Sequence, residues 1–374
     1  MTWPTVQVNQ LNMMGGELKE VERHFLFIGT GTQQPNVLQQ VTSQTDFDAV
    51  LGKADTPLKQ EVKAASLNAG QNWTAAVMEI PADGDWSVSG QQAQLTDSFE
   101  MIVLCDPISL DAKTAITKAQ ALRSTLISKW GRFVRVMLSV KGIDKKTQTW
   151  AQYEAAVVSL QSTLAADGVM LVPQIFTDGT VGKLAGRLCN RAVTIADTPC
   201  RVKTGALLGD MTLPVDSAAE VLPIASLQNL EKNRISVPMW WPDFDGVYWA
   251  DGRMLDVEGG DYQVVEYCRI MDKVARKLRV RAIARIGDRS LNSTPASIAS
   301  TKRYFLRDMR VMAKSTTIAG VLFVGEIAPP VNDDMNIQWV TKTKVRIYGV
   351  VTPIDCPKQI EINLMLDLQL AEDA

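Results

Sequence analysis

Histidine is nearly missing from this chain: 374 residues hold one, His24, together with five cysteines. A catalytic triad or a histidine-rich metal site needs an imidazole beside a nucleophile or beside further ligands, so this scarcity argues against both. His24 opens the apolar run "HFLFIGTG" and reads as an edge or core residue of a strand. Cys105, Cys189, Cys200, Cys268 and Cys356 form no C-x-x-C pair, which argues against a zinc site and a disulfide framework and leaves buried free thiols. Long hydrophobic runs are absent too: none approaches the roughly 18 apolar residues of a membrane span. The N-terminal "MTWPTVQVNQ" lacks the basic and apolar regions of a secretory signal, so synthesis and assembly are expected in a cytoplasm. Neither the phosphate loop G-x-x-x-x-G-K-[ST] nor the nucleophile elbow G-x-S-x-G occurs. "GTGTQQP" at 29–35 lacks the third glycine of a dinucleotide loop and has Pro35 where the helix should begin, so a turn is enough. "PDFDG" is a calcium-loop fragment without its remaining ligands. No cofactor, metal or catalytic residue is expected.

What is present is ordinary globular composition, 46% apolar and 21% charged, long enough for two compact units or one with large insertions. Residues 1–20 read as an arm in which Val6 and Val8 alternate with polar neighbours before Gly15–Gly16 breaks the pattern. From 22 to 205 the runs "FLFIG", "WTAAVMEI", "FEMIVLC", "RFVRVML" and "VMLVPQIF" alternate with helical segments at 57–69, 111–129 and 150–165. That rhythm predicts a parallel or mixed sheet with helices on its faces. In the helix from 111, Ile116, Ala119, Leu122, Leu126 and Ile127 form one core stripe, with Lys113, Lys118 and Arg123 off it. A loose connection at 203–216 follows, then a helix near 218–233, an aromatic segment, a basic helical region and two strands. In the closing "KQIEINLMLDLQL", Ile360, Ile362, Leu364, Leu366, Leu368 and Leu370 hold every even position, the pattern of a half-buried strand.

Two stretches carry possible chemistry. "PMWWPDFDGVYWADGRML" at 238–255 places Asp243, Asp245 and Asp251 among Trp240, Trp241, Tyr248 and Trp249, with Asp256 just beyond. A glycan-cleaving site needs two carboxyl groups roughly 5 to 10 Å apart across a cleft. The same composition suits a Trp-packed structural connection, with Pro242 and Gly246 as punctuation and Asp251–Gly252 as a hairpin-type turn pair. The second stretch, 264–314, holds thirteen basic residues and four acidic ones in a chain of net charge −2. Here Lys273, Lys277, Arg281 and Arg285 form a helical row on a different face from the stripe Tyr267, Met271, Val274, Leu278 and Ala282. A second helix, with Thr294 as cap and Pro295 in its first turn, carries Lys302, Arg303, Arg307, Arg310 and Lys314. Such helices suit a polyanion, either nucleic acid or an acidic protein, or else a solvated face. The pI of 5.7 and the lack of a stacking or zinc motif weigh against nucleic acid.

"DGVYWADGRMLD" with the following "DYQVVEYCRIMDKVARKLRVRAIARIGDRSLNSTPASIASTKRYFLRDMRVMAKS" resembles the tail sheath proteins of contractile-tailed bacteriophages, in the compact branch found in Mu-like and related myophages. The match is strongest over 237–324. The resemblance implies an α/β fold: a mixed-sheet sheath core with helices, an α/β N-terminal unit and extended terminal strand arms. It divides the chain into an N-terminal arm (1–20), an α/β unit that is partly an outer domain (21–205), the sheath core with its basic helices (206–355) and a C-terminal arm (356–374). It implies a structural, non-enzymatic virion subunit that forms homo-hexameric rings stacked helically around a tail tube and contracts to drive that tube through the host envelope. The implied partners are further copies of itself, the tail tube protein, and baseplate and tail-terminator proteins, with no nucleic acid and no membrane span. Val6, Val8, Ile360, Ile362, Leu364, Leu366 and Leu368 would be inter-subunit strand positions. Lys273, Lys277, Arg281, Arg285, Lys302, Arg303 and Arg307 would face an acidic tube exterior. Tyr248, Trp249, Asp251, Gly252 and Arg253 would fix a turn that orients the basic helices, with the carboxylates pairing with arginines or capping turns. The competing expectation is a glycan-binding or glycan-cleaving protein using 238–256.

Overall fold

The computed structural model describes residues 21–365; Val6, Val8, Gly15, Gly16, Leu366, Leu368 and Leu370 lie outside the described residues. Short apolar runs form a six-stranded sheet from β1 (Phe25–Thr30), β2 (Leu38–Thr42), β3 (Thr74–Ile80), β4 (Met101–Ile108), β5 (Arg135–Val140) and β6 (Val169–Pro173). The strand order is β2-β3-β1-β4-β5-β6, parallel throughout except for β2, which runs antiparallel to β3 at one edge. Helices α1 (Phe47–Leu51), α2 (Pro57–Ala69), α3 (Trp86–Thr96), α4 (Lys113–Trp130), α5 (Trp150–Gln161), α6 (Thr180–Cys189) and α7 (Ile224–Lys232) accompany it. Because side chains alternate across a strand, Phe25 and Phe27 join a core with α2 and α6, while Leu26 and Ile28 join a core with α4 and α5.

The strands and helices expected between 22 and 205 are all present, joined by β2, α1, α3 and α6, which the sequence did not announce. α7 begins later than expected. Asp216 accepts the amides of Ala218 and Glu220 in a turn, and Pro223 occupies the N-cap, so helical geometry starts only at Ile224. "GTGTQQP" leads into β2 with no helix behind it.

Packing runs straight across residue 205. Leu222, Leu230, Val237 and Leu255 belong to one core of the sheet, and Trp249, Met254, Val265 and Cys268 to the other. β7 (Pro238–Trp241) and β8 (Phe244–Trp249) form a hairpin whose turn is Pro242–Asp243, with Asp243 at φ +60°. Asp251–Gly252, the expected hairpin pair, instead follows β8.

A smaller third core lies beyond. α8 (Val265–Ile283) and α9 (Pro295–Met312) pack with β11 (Met335–Thr341) and β12 (Lys344–Gly349), preceded by the short hairpin β9 (Thr316–Ile318) and β10 (Val321–Phe323). Ile270, Val274, Phe305, Met309, Met335 and Ile337 form its centre. Two hairpins thus stand where one strand was expected ahead of the closing 358–370 run. Thr294 caps α9 as anticipated, accepting from the Ser297 amide. On α8, by contrast, Tyr267, Met271 and Leu278 are half-buried and Ala282 is exposed, because the inward face is occupied by charged residues as well as apolar ones. Among the described residues no helix is long and apolar enough to cross a membrane. Cys105, Cys189 and Cys268 are buried, whereas Cys200 is half-buried and Cys356 exposed, so the expectation of buried thiols holds for three of five.

Candidate functional site

The inward face of α8 carries Glu266, Arg269, Asp272 and Arg276, spaced three or four apart and all buried. Each finds an opposite charge far away in the sequence. Arg269 pairs with Glu100 at the start of β4, 2.6 and 3.0 Å away. Asp272 receives both Arg135 of β5 (2.6 Å) and Arg123 of α4 (3.0 Å). Burial alone would raise the Asp272 carboxyl, but the two guanidinium groups override it and hold it below its ordinary range. This explains why Arg123, expected on the solvent side of the α4 stripe, is buried.

Arg276 and Arg269 receive the beginning of the described chain. Arg276 Nη2 lies 2.8 Å from Glu22, and the Arg23 amide donates to the same Glu100 that Arg269 holds. Burial opposes the Glu22 charge, yet Arg276 depresses its pKa. Beside this root His24 stacks on Phe99 at 5.1 Å just ahead of β1, in keeping with a strand-edge residue.

Glu266 holds the other end. After β12 the chain runs along 326–328, with Ala328 donating to Thr352 O and Ile354 to Glu326 O. Lys358 then reaches inward, 2.7 Å from Asp251 and 2.6 Å from Glu266. Burial works against the Lys358 charge, and the two carboxylates more than reverse this, raising its pKa. Burial and then the neighbouring Asp251 charge push the Glu266 carboxyl up, as expected where two carboxylates share one ammonium. Beyond Lys358, residues 359–365 make no hydrogen bond or ion pair among the described residues and form no strand. Ile360 and Ile362 are each 76% exposed and Leu364 is 90% exposed. The half-buried strand read from this alternation is therefore not formed within the chain's own body over its described part.

The residues expected to fix a turn lie at the end of β8 and in the segment that leads toward α8. Trp249 is fully buried in the sheet core, Tyr248 donates its hydroxyl to Asp245 O, and Arg253 lies 3.4 Å from Glu231. A side chain on Gly252 would collide with Val265, so glycine there lets the turn seat the first residue of α8. Asp251 pairs with a lysine from the C-terminal segment, not an arginine, and Asp256 accepts the amides of Val257 and Tyr262. Asp243 and Asp245 are exposed on the β7–β8 hairpin. Both carboxylates border a shallow, open depression together with Trp240, Trp241 and Phe244.

The basic row on α8 is also different from expectation. Lys273 pairs with Glu326 at 2.7 Å, Arg281 with Asp308 of α9, and Arg285 with Asp288 at 2.5 Å. Arg281 and Arg285 also lie over the Tyr304 ring. Of that row only Lys277 has no ion pair among the described residues. On α9, Arg303 and Arg307 are exposed and Lys302 half-buried, none with an ion pair among the described residues.

Solved structures similar to this fold include sheath proteins of contractile systems. The PVC sheath complex of an extracellular contractile injection system, in its contracted state, superposes with TM-score 0.65 at 12% identity over 98% of both chains. The helical sheath of the anti-feeding prophage, also contracted, gives 0.60 at 11% identity, covering 98% of this chain and all of that one. A sheath tail protein of Desulfitobacterium hafniense gives 0.54 at 11%, over 94% and 97% of the two chains. In sequence, a protein of Haemophilus phage HP1 (strain HP1c1) named "Putative tail sheath protein" is 50% identical over 372 residues, 98% of each chain. The models "DUF2586, N-terminal domain" and "DUF2586, C-terminal domain" match residues 3–253 and 261–369. The fold is thus that of contractile sheath subunits, and the chain belongs to the DUF2586 family.

Proposed function

We infer that this protein is the structural subunit of a contractile phage tail sheath, and so a virion component. The observation that carries the reading within the structure is an apolar segment, Ile360 to Met365, left exposed and unpaired beside a body whose own cores are closed. The full-length likeness to the HP1 protein supports it. Subunits polymerise as six-fold rings stacked around a tail tube, assembled in the host cytoplasm, and contraction drives the tube through the host envelope. The partners are neighbouring copies, the tube protein, and baseplate and tail-terminator proteins. Its role is mechanical rather than catalytic.

The arms, 1–20 and 356–374, act by strand addition. The β11–β12 pair buries Met335 and Ile337 against α9 yet leaves Tyr348 and Val340 exposed, and a two-stranded sheet is marginal alone. A strand from a neighbour, at about 1 kcal/mol per backbone hydrogen bond plus its apolar face, stabilises such a sheet and links subunits. Attachment to the tube rests on charges without an ion pair among the described residues, Lys277, Lys302, Arg303 and Arg307, and is weak and salt-screened. Electron microscopy of the purified protein tests the reading: hollow helical tubes or rings are expected, and a monomer at every salt and protein concentration would overturn it.

A further inference from the structure

We propose that α8 is a tension member: both arm roots of a subunit are tied to this one helix, so force passed between neighbours runs along it. The proposal rests on the strand-exchange reading and adds where the load goes. The N-terminal root is bound through Glu22 to Arg276, and through the Arg23 amide and Glu100 to Arg269. The C-terminal root is bound through Lys358 to Glu266. Between these attachments Asp272 braces the helix to α4 and β5 through Arg123 and Arg135.

Two features make these ties suited to load. Every tie ends on a buried group of α8, Arg269, Arg276 or Glu266, although Lys358 itself is 29% exposed, and removing a partner leaves that buried charge uncompensated, so each tie resists opening more than a surface pair does. Pulling on either arm also acts on a helix whose backbone hydrogen bonds lie nearly along the direction of its length, with its middle fixed to the sheet. Among the described residues nothing beyond Lys358 holds the arm, so Lys358 is its last described fixed point. The sheet shares the N-terminal root, which continues into β1 at Phe25 and is also tied by the Arg23 guanidinium to Val193 O, whereas among the described residues the C-terminal root meets no strand of that sheet.

The test is end-to-end pulling of single polymers of the full chain in an optical trap, with electron microscopy to confirm that each variant assembles. Lys358→Met and Glu22→Gln should assemble and rupture at lower force than wild type. Arg281→Met, which removes an ion pair on the same helix that serves no arm, should rupture at the wild-type force. The exchanged pair Glu22→Arg with Arg276→Glu should restore the strength lost in Glu22→Gln, which separates a tie from a general folding defect. Wild-type rupture force in both root variants, or weakening by Arg281→Met equal to theirs, would overturn the tension member while leaving strand exchange intact. A chain lacking 359–374 that still polymerises would instead defeat strand exchange itself, and the tension member with it.

Discussion

The six-stranded sheet and the unit built from α8 onward spend apolar residues in opposite ways. In the sheet nearly every apolar side chain is covered by the chain's own helices on both faces. In the later unit Ile286, Leu322, Val324 and Val350 are exposed, and the apolar segment after Lys358 more so. Under the proposed strand exchange, such exposed apolar side chains are where a neighbouring copy would pack. One region is closed by its own side chains, and the other leaves apolar side chains open to solvent.

The largest effect separating them should come from removing residues 359–374. Polymer should disappear in sedimentation, while the urea unfolding midpoint of the soluble chain stays within error of wild type; a lowered midpoint would mean the arm belongs to the body. Next is Asp272→Leu, which strands two buried guanidinium groups and should cost about 3 to 5 kcal/mol in urea unfolding. If it were neutral, α8 would belong with the lattice surface and not with the body.

A smaller effect probes the sheet side. Glu61 on α2 is fully buried against α6, accepting from the Gly182 amide at 2.6 Å and from Gln174, and burial pushes its carboxyl up to about 7. The folded state therefore takes up this proton more readily than the unfolded chain, whose value is near 4.5. Its contribution is full below pH 4.5 and is lost as pH rises through 7, at a slope on the order of 1 kcal/mol per pH unit. Glu61→Gln should flatten that part of the stability profile, and an unchanged profile would discount the group. The smallest effect is expected for Arg303→Glu with Arg307→Glu. Unfolding should shift by less than about 1 kcal/mol, while co-sedimentation with tail tubes weakens at low salt. Unaltered tube binding would make α9 a solvated face.

Much of the sheet was legible because buried strands and amphipathic helices leave apolar periods in the sequence, as "FEMIVLC" and the 111–129 stripe do. α6 carries such a stripe, Val181, Leu184, Ala185 and Leu188, but over only ten residues and broken by glycines and charges. Gly182 and Gly186 sit where any side chain would collide with the α2 backbone at Glu61 and Ala65, and Lys183 and Arg187 are buried, so part of its contact surface lies in small and charged residues. The candidate site was harder still. Lys273, Arg281 and Arg285 were counted as free charge because their partners, Glu326, Asp308 and Asp288, are fixed by folding and not by spacing alone. Glu22 and Arg276 lie 254 residues apart, a separation over which no local pattern speaks. Lys358, which pairs with Asp251 of the Trp-rich loop, has no signal in the sequence beyond a lone lysine ahead of an alternating run.

The arrangement on α8 also makes the helix a ruler. Glu266 and Arg276 are ten residues apart, about 15 Å along a helix rising 1.5 Å per residue. The distance between the points from which a subunit extends its two arms is thus set by a count of residues. One residue inserted between those positions would move one root by about 1.5 Å and turn it by roughly 100° relative to the other, a register error that every subunit in the lattice would repeat.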